Sequence, residues 1–231
     1  MFINNFLFKY RSYTPIPLVF TIIYFSNISY PECFWGALLI GFGEYIRISA
    51  VRFAGGETRT LKVGAPSLCT SGPYARTRNP LYVGNIIIYL GVITLASGPQ
   101  MWLLLAVCFI FFTIQYSLII ALEESTLHDL FGSAYQSYQE NVPLLFPRLT
   151  AWKNNDDRKP KSLMKTLRTE RRTLQNLSLI LLILVIHNVA DNLTRNQLIE
   201  LCSGRSWPGE FPLHSPHTHS LRQSFAAGLG L

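Results

Sequence analysis

The sequence predicts an all-α fold, a multi-pass transmembrane bundle with four to five membrane helices. Three observations carry this. Apolar runs that are nearly free of charge recur at residues 15–30, 32–51, 81–97, 101–122 and 174–190, each close to the ~20 residues that cross a bilayer as a helix. Charged residues make up only 14% of the 231, and mean hydropathy is +0.23, far from the composition of a soluble domain. Between the runs stand Gly/Pro turns or clusters of Lys and Arg, as expected of loops at a membrane surface. The net charge of +7 fits orientation in the membrane and contact with anionic lipid, and no nucleic-acid partner is expected. Cys33, Cys69, Cys108 and Cys202 are scattered without a C-x-x-C pair, so neither a disulfide framework nor a zinc site is expected.

Residues 1–13 are short and polar-basic, with Lys9 and Arg11 and no small-residue cleavage site, so no signal peptide is expected. Residues 15–30 are expected to form the first span, ending in a turn at 27–31. Residues 32–51 form the second, with Trp35 at an interface. Glu44 and Arg47 lie inside it on one helix face. They form either a self-neutralising pair or, the favoured reading, one wall of a polar pocket, because intramembrane charges face the bundle interior.

Residues 52–78 form a basic loop, placed in the cytoplasm by its Lys and Arg, with residues 61–68 lying against the core. The third span is 81–97, followed by the uncharged turn Ser97-Gly98-Pro99, and the fourth is 101–122, where Gln115 is the strongest polar residue. Residues 125–138 are expected as an interfacial or cytoplasmic helix broken at Gly132. His128 is a lone histidine, not read as a catalytic base. Residues 1–150 thus form a membrane core, 151–173 a basic cytoplasmic linker suited to anionic headgroups, and 174–195 a fifth helix, spanning or interfacial. Residues 196–231 form a Ser/Gly/Pro/His-rich tail, expected to be disordered; its His214, His217 and His219 are not read as a metal site.

The stretch S-G-P-Y-A-R-T-R-N-P-L-Y-V-G-N at 71–85 organises the rest. Gly72-Pro73 signals a turn, Pro80 suits the first turn of a helix, and Asn79 before it is a plausible N-cap. Arg76, Arg78 and Asn79 then stand at a helix N-terminus on a membrane face. Unpaired N–H groups, a positive dipole end and a guanidinium together suit a carboxylate or another anion. A basic loop that merely orients the chain is the alternative. The acidic pair Glu123-Glu124 follows the fourth span and is suited to a cation or to ribose hydroxyls. Charge asymmetry alone brings both stretches to one membrane face.

In order, G-P-Y-x-x-x-R-N-P-x-Y-x-G and E-E-x-x-L-x-x-x-F-G-x-x-Y-x-x-Y with Val142-Pro143 closely resemble the isoprenylcysteine carboxyl methyltransferase family, relatives of the phospholipid methyltransferases, over residues 40–150. The resemblance implies a membrane enzyme that uses S-adenosylmethionine at the cytoplasmic face and methylates a lipid-like or small apolar acceptor entering from the bilayer. It implies that Tyr74, Asn79, Pro80, Leu81 and Tyr82 line the donor site with Arg78 and Glu123, that residues 66–69 contact the donor, and that Arg78, Glu123 and Glu124 serve the reaction.

Two departures matter. The eukaryotic prenylcysteine enzymes have His at the position of Asn79, and they carry an arginine in the helix before the glutamates; residues 111–122 here contain none. Carboxyl O-methylation is therefore the family expectation, with phospholipid or thiol methylation as the alternatives. A nicotinamide-dependent membrane reductase of the sterol reductase type has a similar R-x-P-x-Y-x-G motif, but with Asn where this chain has Leu81. A non-catalytic scaffold is disfavoured by the intact Arg78, Asn79, Tyr82 and glutamate pair.

Overall fold

The computed structural model describes residues 2–55, 67–153 and 156–202. Seven α-helices follow in order: α1 Phe2–Tyr10, α2 Ile16–Tyr24, α3 Tyr30–Ala54, α4 Pro80–Ala96, α5 Met101–Phe131, α6 Ser133–Asn141 and α7 Leu163–Cys202. A 3-10 turn at Gly72–Ala75 lies between α3 and α4. The chain divides into two compact units, Met1–Val189 and Ala190–Leu231. Of the second, the described part is the end of α7, where Arg195 pairs with Asp191 one turn earlier at 2.9 Å. Residues 56–66, with the expected packing of 61–66, and the histidines of the tail lie outside the described residues.

Among the described residues, three helices are long and apolar enough to cross a membrane: α3, α5 and, over Leu163–Glu200, α7. α4 is a shorter apolar helix of 17 residues, about 25 Å long at ~1.5 Å per residue. The expected first span is not a single membrane helix. Its own helix, α2, has nine residues, about 13 Å of a ~30 Å core, and Tyr30 already begins α3. Pro17 sits in the first turn. At the far end the backbone turns away to bind the end of α4: Asn27 N–H donates to Ala96 O (2.8 Å), Ser97 Oγ donates to Asn27 O (3.0 Å), and Ser29 N–H donates to Ser97 Oγ (2.9 Å). Before α2, Thr14 Oγ1 donates to Gln115 Oε1 on α5 at 3.0 Å. Residues 14–27 therefore run along the bundle with a broken helix, which is tolerated where protein supplies the missing hydrogen bonds.

α3 and α4 are the closest pair, and glycine makes them so. Gly36 and Gly43 lie seven residues apart on α3, as do Gly84 and Gly91 on α4. A Cβ on Gly36 would lie 2.7 Å from Gly91 O, and one on Gly43 2.8 Å from Gly84 O. Two turns of spacing put each pair on one face, so the backbones touch without side chains between them, the usual device for helix association in lipid. Gly84 has a second role: a Cβ there would lie 2.7 Å from Arg47 Cγ, so its absence makes room for the arginine stem.

The fourth span continues beyond its expected end at 122. α5 carries Glu123 and Glu124 within the helix and stops at Gly132, whose φ is +49°, a left-handed conformation that favours glycine. The break expected there is present. α6 then folds back and buries Tyr135 and Tyr138 with Val142 against Leu68 and Trp152. α7 begins at Leu163, so the second half of the basic segment and the fifth apolar run form one 40-residue helix. Its Thr166, Glu170 and Leu184 are buried, whereas Leu179, Leu182, Ile186 and Val189 are exposed, as suits a helix facing lipid.

Candidate active site

The two motifs meet. Tyr82 on the first turns of α4 donates its hydroxyl proton to Glu123 Oε1 at 2.8 Å. Arg78 Nε lies 2.9 Å from Glu124 Oε1. Adjacent glutamates on a helix point ~100° apart, and here they face different partners. Tyr82 stacks on Tyr116 of α5 (centroids 4.5 Å apart, planes at 28°), Tyr116 on Phe112 (5.2 Å), and Phe112 lies against Tyr89 of α4 (4.5 Å). This aromatic ladder fills the α4/α5 interface from Glu123 inwards. Arg11 is the cation facing Glu123 from the N-terminal segment. Only Oε1 of Glu123 is hydrogen-bonded among the described residues.

Arg78 is held on several sides. Its Nη1 donates to Gln139 O (2.8 Å) and its backbone N–H to Pro143 O (2.9 Å), besides the Glu124 pair. Asn79 occupies the N-cap position of α4 but its side chain does not cap. Instead Nδ2 donates to Leu144 O at 3.2 Å, while Asn79 O accepts the N–H groups of Tyr82 and Val83 (3.1 and 3.2 Å). The expected N-cap hydrogen bond is thus replaced by one to the segment after α6. That segment lies along the motif loop, with Arg148 N–H donating to Arg76 O (2.9 Å) and Trp152 N–H to Ala75 O (2.8 Å), and from α6 Tyr138 Oη donates to Tyr74 O (2.8 Å). Tyr74 is enclosed by this arrangement, and burial raises its hydroxyl well above the usual phenol range. Pro80 is buried, and Leu81 is half-buried beside it.

The loop before the motif is pinned by residues that sequence reasoning had left in a linker. Asp156 accepts the Thr70 N–H (2.9 Å) and Thr70 Oγ1 (3.2 Å), Ser71 Oγ donates to Asp156 O, and Arg158 Nη2 donates to Ser67 Oγ (3.0 Å) and Leu68 O (3.2 Å). Burial opposes the Asp156 charge, but the Thr70 N–H, Ser71 and Arg158 outweigh it and hold the carboxyl below its usual value. The neighbouring Cys69 thiol is pushed up, mainly by burial.

Beyond the ladder lies a second polar cluster. Arg47 does not neutralise Glu44. Its Nη2 donates to Glu170 Oε2 on α7 at 2.7 Å and its Nη1 to Asn85 Oδ1 on α4, and Asn85 also engages the Tyr116 hydroxyl. Arg47 thus pairs across helices and not with Glu44, and sequence reasoning missed Glu170. It stands in a run of cations, T-L-R-T-E-R-R, where local charge explains it fully. His128 is exposed, and among the described residues no three His, Cys, Asp or Glu side chains form a metal cluster.

Residues 31–134 match the phospholipid methyltransferase family. The matched residues run from the start of α3 through α4 and α5 and include both halves of the motif pair. Methyltransferases of the phospholipid methyltransferase family use S-adenosylmethionine. The chain is similar to methanethiol S-methyltransferase 2 of Bradyrhizobium diazoefficiens, 28% identical over 130 residues, which are 54% of this chain and 48% of that protein. It is similar to the protein-S-isoprenylcysteine O-methyltransferase of Xenopus laevis, 30% identical over 120 residues (48% and 39%). It is also similar to the cobalt-zinc-cadmium resistance protein CzcN of Cupriavidus metallidurans, 33% identical over 87 residues (38% and 38%). The chain spans about half or less of the length of these relatives.

Proposed function

We propose that this chain is an integral membrane methyltransferase that moves a methyl group from S-adenosylmethionine to a lipid-like or small apolar acceptor. The observation that supports it most is the joining of Tyr82 to Glu123 and Arg78 to Glu124 across α4 and α5. The residues fit the donor. Glu123 keeps one oxygen for ribose hydroxyls, the Tyr82–Tyr116 stack offers aromatic faces suited to a sulfonium cation, and Tyr74, Asn79, Pro80 and Leu81 complete the wall. When bound, the donor supplies an electrophilic methyl group for in-line attack by the acceptor.

The protein's own part is positioning and exclusion of water. Tyr82 orients the Glu123 carboxylate. Arg78 and Glu124 act as positioning residues that clamp residues 139–143 to the start of α4. The apolar ladder behind them keeps the acceptor side dry. The site lies at the cytoplasmic ends of α3, α4 and α5, because the basic loop at 52–78 joins there. Four helices (α3, α4, α5 and α7) cross the bilayer, and the broken 14–27 segment makes a fifth crossing.

The missing cation at 111–122 favours a neutral nucleophile over a carboxylate acceptor. A thiol acceptor has the further support that relatives are named methanethiol S-methyltransferases. The test is methyl transfer by the purified protein to methanethiol, a prenylated cysteine and phosphatidylethanolamine in parallel. Turnover of the thiol above the other two is expected. Turnover of none, with S-adenosylmethionine bound, would refute the acceptor class.

A further inference from the structure

We infer that Glu44 and Arg47 form a receptor, between α3, α4 and α7, for a zwitterionic group that carries an ammonium and an acidic oxygen a few ångströms apart. Glu44 is only 9% exposed, yet neither of its carboxylate oxygens has a hydrogen-bond partner among the described residues. The charges facing it are Arg47 and Glu170. Arg47, one turn further along α3, uses Nη1 and Nη2 on Asn85 and Glu170, which leaves its buried Nε–H without a partner. One face of α3 therefore presents two unused acceptors and one unused donor, both charged, at the ~5–6 Å spacing of an i, i+3 pair.

Burying such groups unpaired is costly. A ligand ammonium meets the Glu44 carboxylate, and its acidic oxygen takes the Arg47 Nε–H. Two sources carry this chemistry: the amino-acid end of the methyl donor and the phosphoethanolamine headgroup of a phospholipid.

The donor as source rests on the methyltransferase reading above, and the structure makes it reachable. Arg47 connects through Asn85 to Tyr116, Tyr116 stacks on Tyr82, and Tyr82 holds Glu123. Tyr74 feels both Glu123 and Arg47. The need for a carboxylate anchor also points here, because Arg78 is already committed to Glu124 and to Gln139 O.

The test uses the full chain in lipid nanodiscs and measures binding, not turnover. The probes are S-adenosylhomocysteine and 5′-methylthioadenosine, which lacks the amino-acid end. Wild type is expected to bind the first at least tenfold more tightly. In Glu44→Gln, a neutral isostere that breaks no hydrogen bond, that preference should fall at least fivefold, with methylthioadenosine binding unchanged. Arg47→Lys, which keeps a cation for Glu170 but has no Nε–H, should lose it too.

In a second arm, thermal unfolding is compared in phosphatidylethanolamine and phosphatidylglycerol discs. If Glu44→Gln retains the nucleoside preference but loses stabilisation specific to ethanolamine lipid, the receptor holds the headgroup. If it matches wild type in both arms, the proposal is overturned and Glu44 is a buried acid holding a proton. Failure of wild type to bind either nucleoside refutes the methyltransferase reading instead, and the lipid arm then decides this one alone.

Discussion

Arg78→Lys separates a geometric role from a merely electrostatic one. In the structure the guanidinium serves two directions at once, with Nε 2.9 Å from Glu124 Oε1 and Nη1 donating to Gln139 O at 2.8 Å. A lysine amine is a single point charge and reaches one of these partners. The Arg78 and Glu124 side chains are 10% and 19% exposed, so solvent screens the pair only in part. Losing one charge-assisted hydrogen bond in such a setting costs about 1–3 kcal/mol, or roughly ten- to a hundredfold in donor affinity if residues 139–143 must stay docked to α4 for binding. The assay is S-adenosylmethionine affinity with thermal unfolding, for wild type, Arg78→Lys, Glu124→Gln and the double variant. The two single changes should not add, leaving a coupling of ~1 kcal/mol or more. Arg76→Lys is the control, since the exposed Arg76 makes one side-chain bond, to Leu149 O, and should tolerate the change. Unaltered affinity and stability in Arg78→Lys would reduce this residue to a surface charge and remove the clamp from the account.

Glu123→Gln and Tyr82→Phe should each weaken donor binding more than they lower thermal stability, while Glu124→Gln should do the reverse; matched effects of the two glutamate changes would contradict their separate partners. Gly84→Ala places a Cβ 2.9 Å from Gly43 O and 2.7 Å from Arg47 Cγ, and should cost about 1–3 kcal/mol by overpacking, read as a lowered unfolding temperature; Gly41→Ala, with nothing within 4 Å, should be silent. Asp156 has a depressed carboxyl pKa, so its stabilising effect is present above the unfolded value of ~3.9 and is lost as pH falls through the lower folded value. Asp156→Asn should therefore lower stability at neutral pH, and the gap to wild type should close on acidification, as followed by unfolding at graded pH; a gap that widens in acid would be the wrong sign.

What the sequence made legible was chemical type in order. Arg78, Glu123 and Glu124 could be picked out because charges stand at the ends of apolar runs, Tyr82 followed from the family resemblance, and the structure brings all four together. Gly132 was readable as a break because a helical pattern continues on both sides of it. Glu170 was not readable, because a carboxylate among arginines already has a local explanation, and its pairing with Arg47 is a property of how α7 docks. Asp156 and Arg158 were hidden in the same way: a polar stretch shows no periodicity, and only tertiary contact shows that it pins residues 67–71. The break in the first span was not readable, because hydropathy counts residues 15–30 equally, whereas the backbone at Asn27 bonds to the end of α4 instead of continuing α2.

Ligand choice tests the central claim most directly. The full chain, purified in detergent, is titrated with S-adenosylmethionine and, separately, with NADPH, which a reductase built on a similar motif would need. The account predicts saturable binding of S-adenosylmethionine, displaced by S-adenosylhomocysteine and weakened in Glu123→Gln, with no binding of NADPH. Saturable NADPH binding without S-adenosylmethionine binding would contradict it.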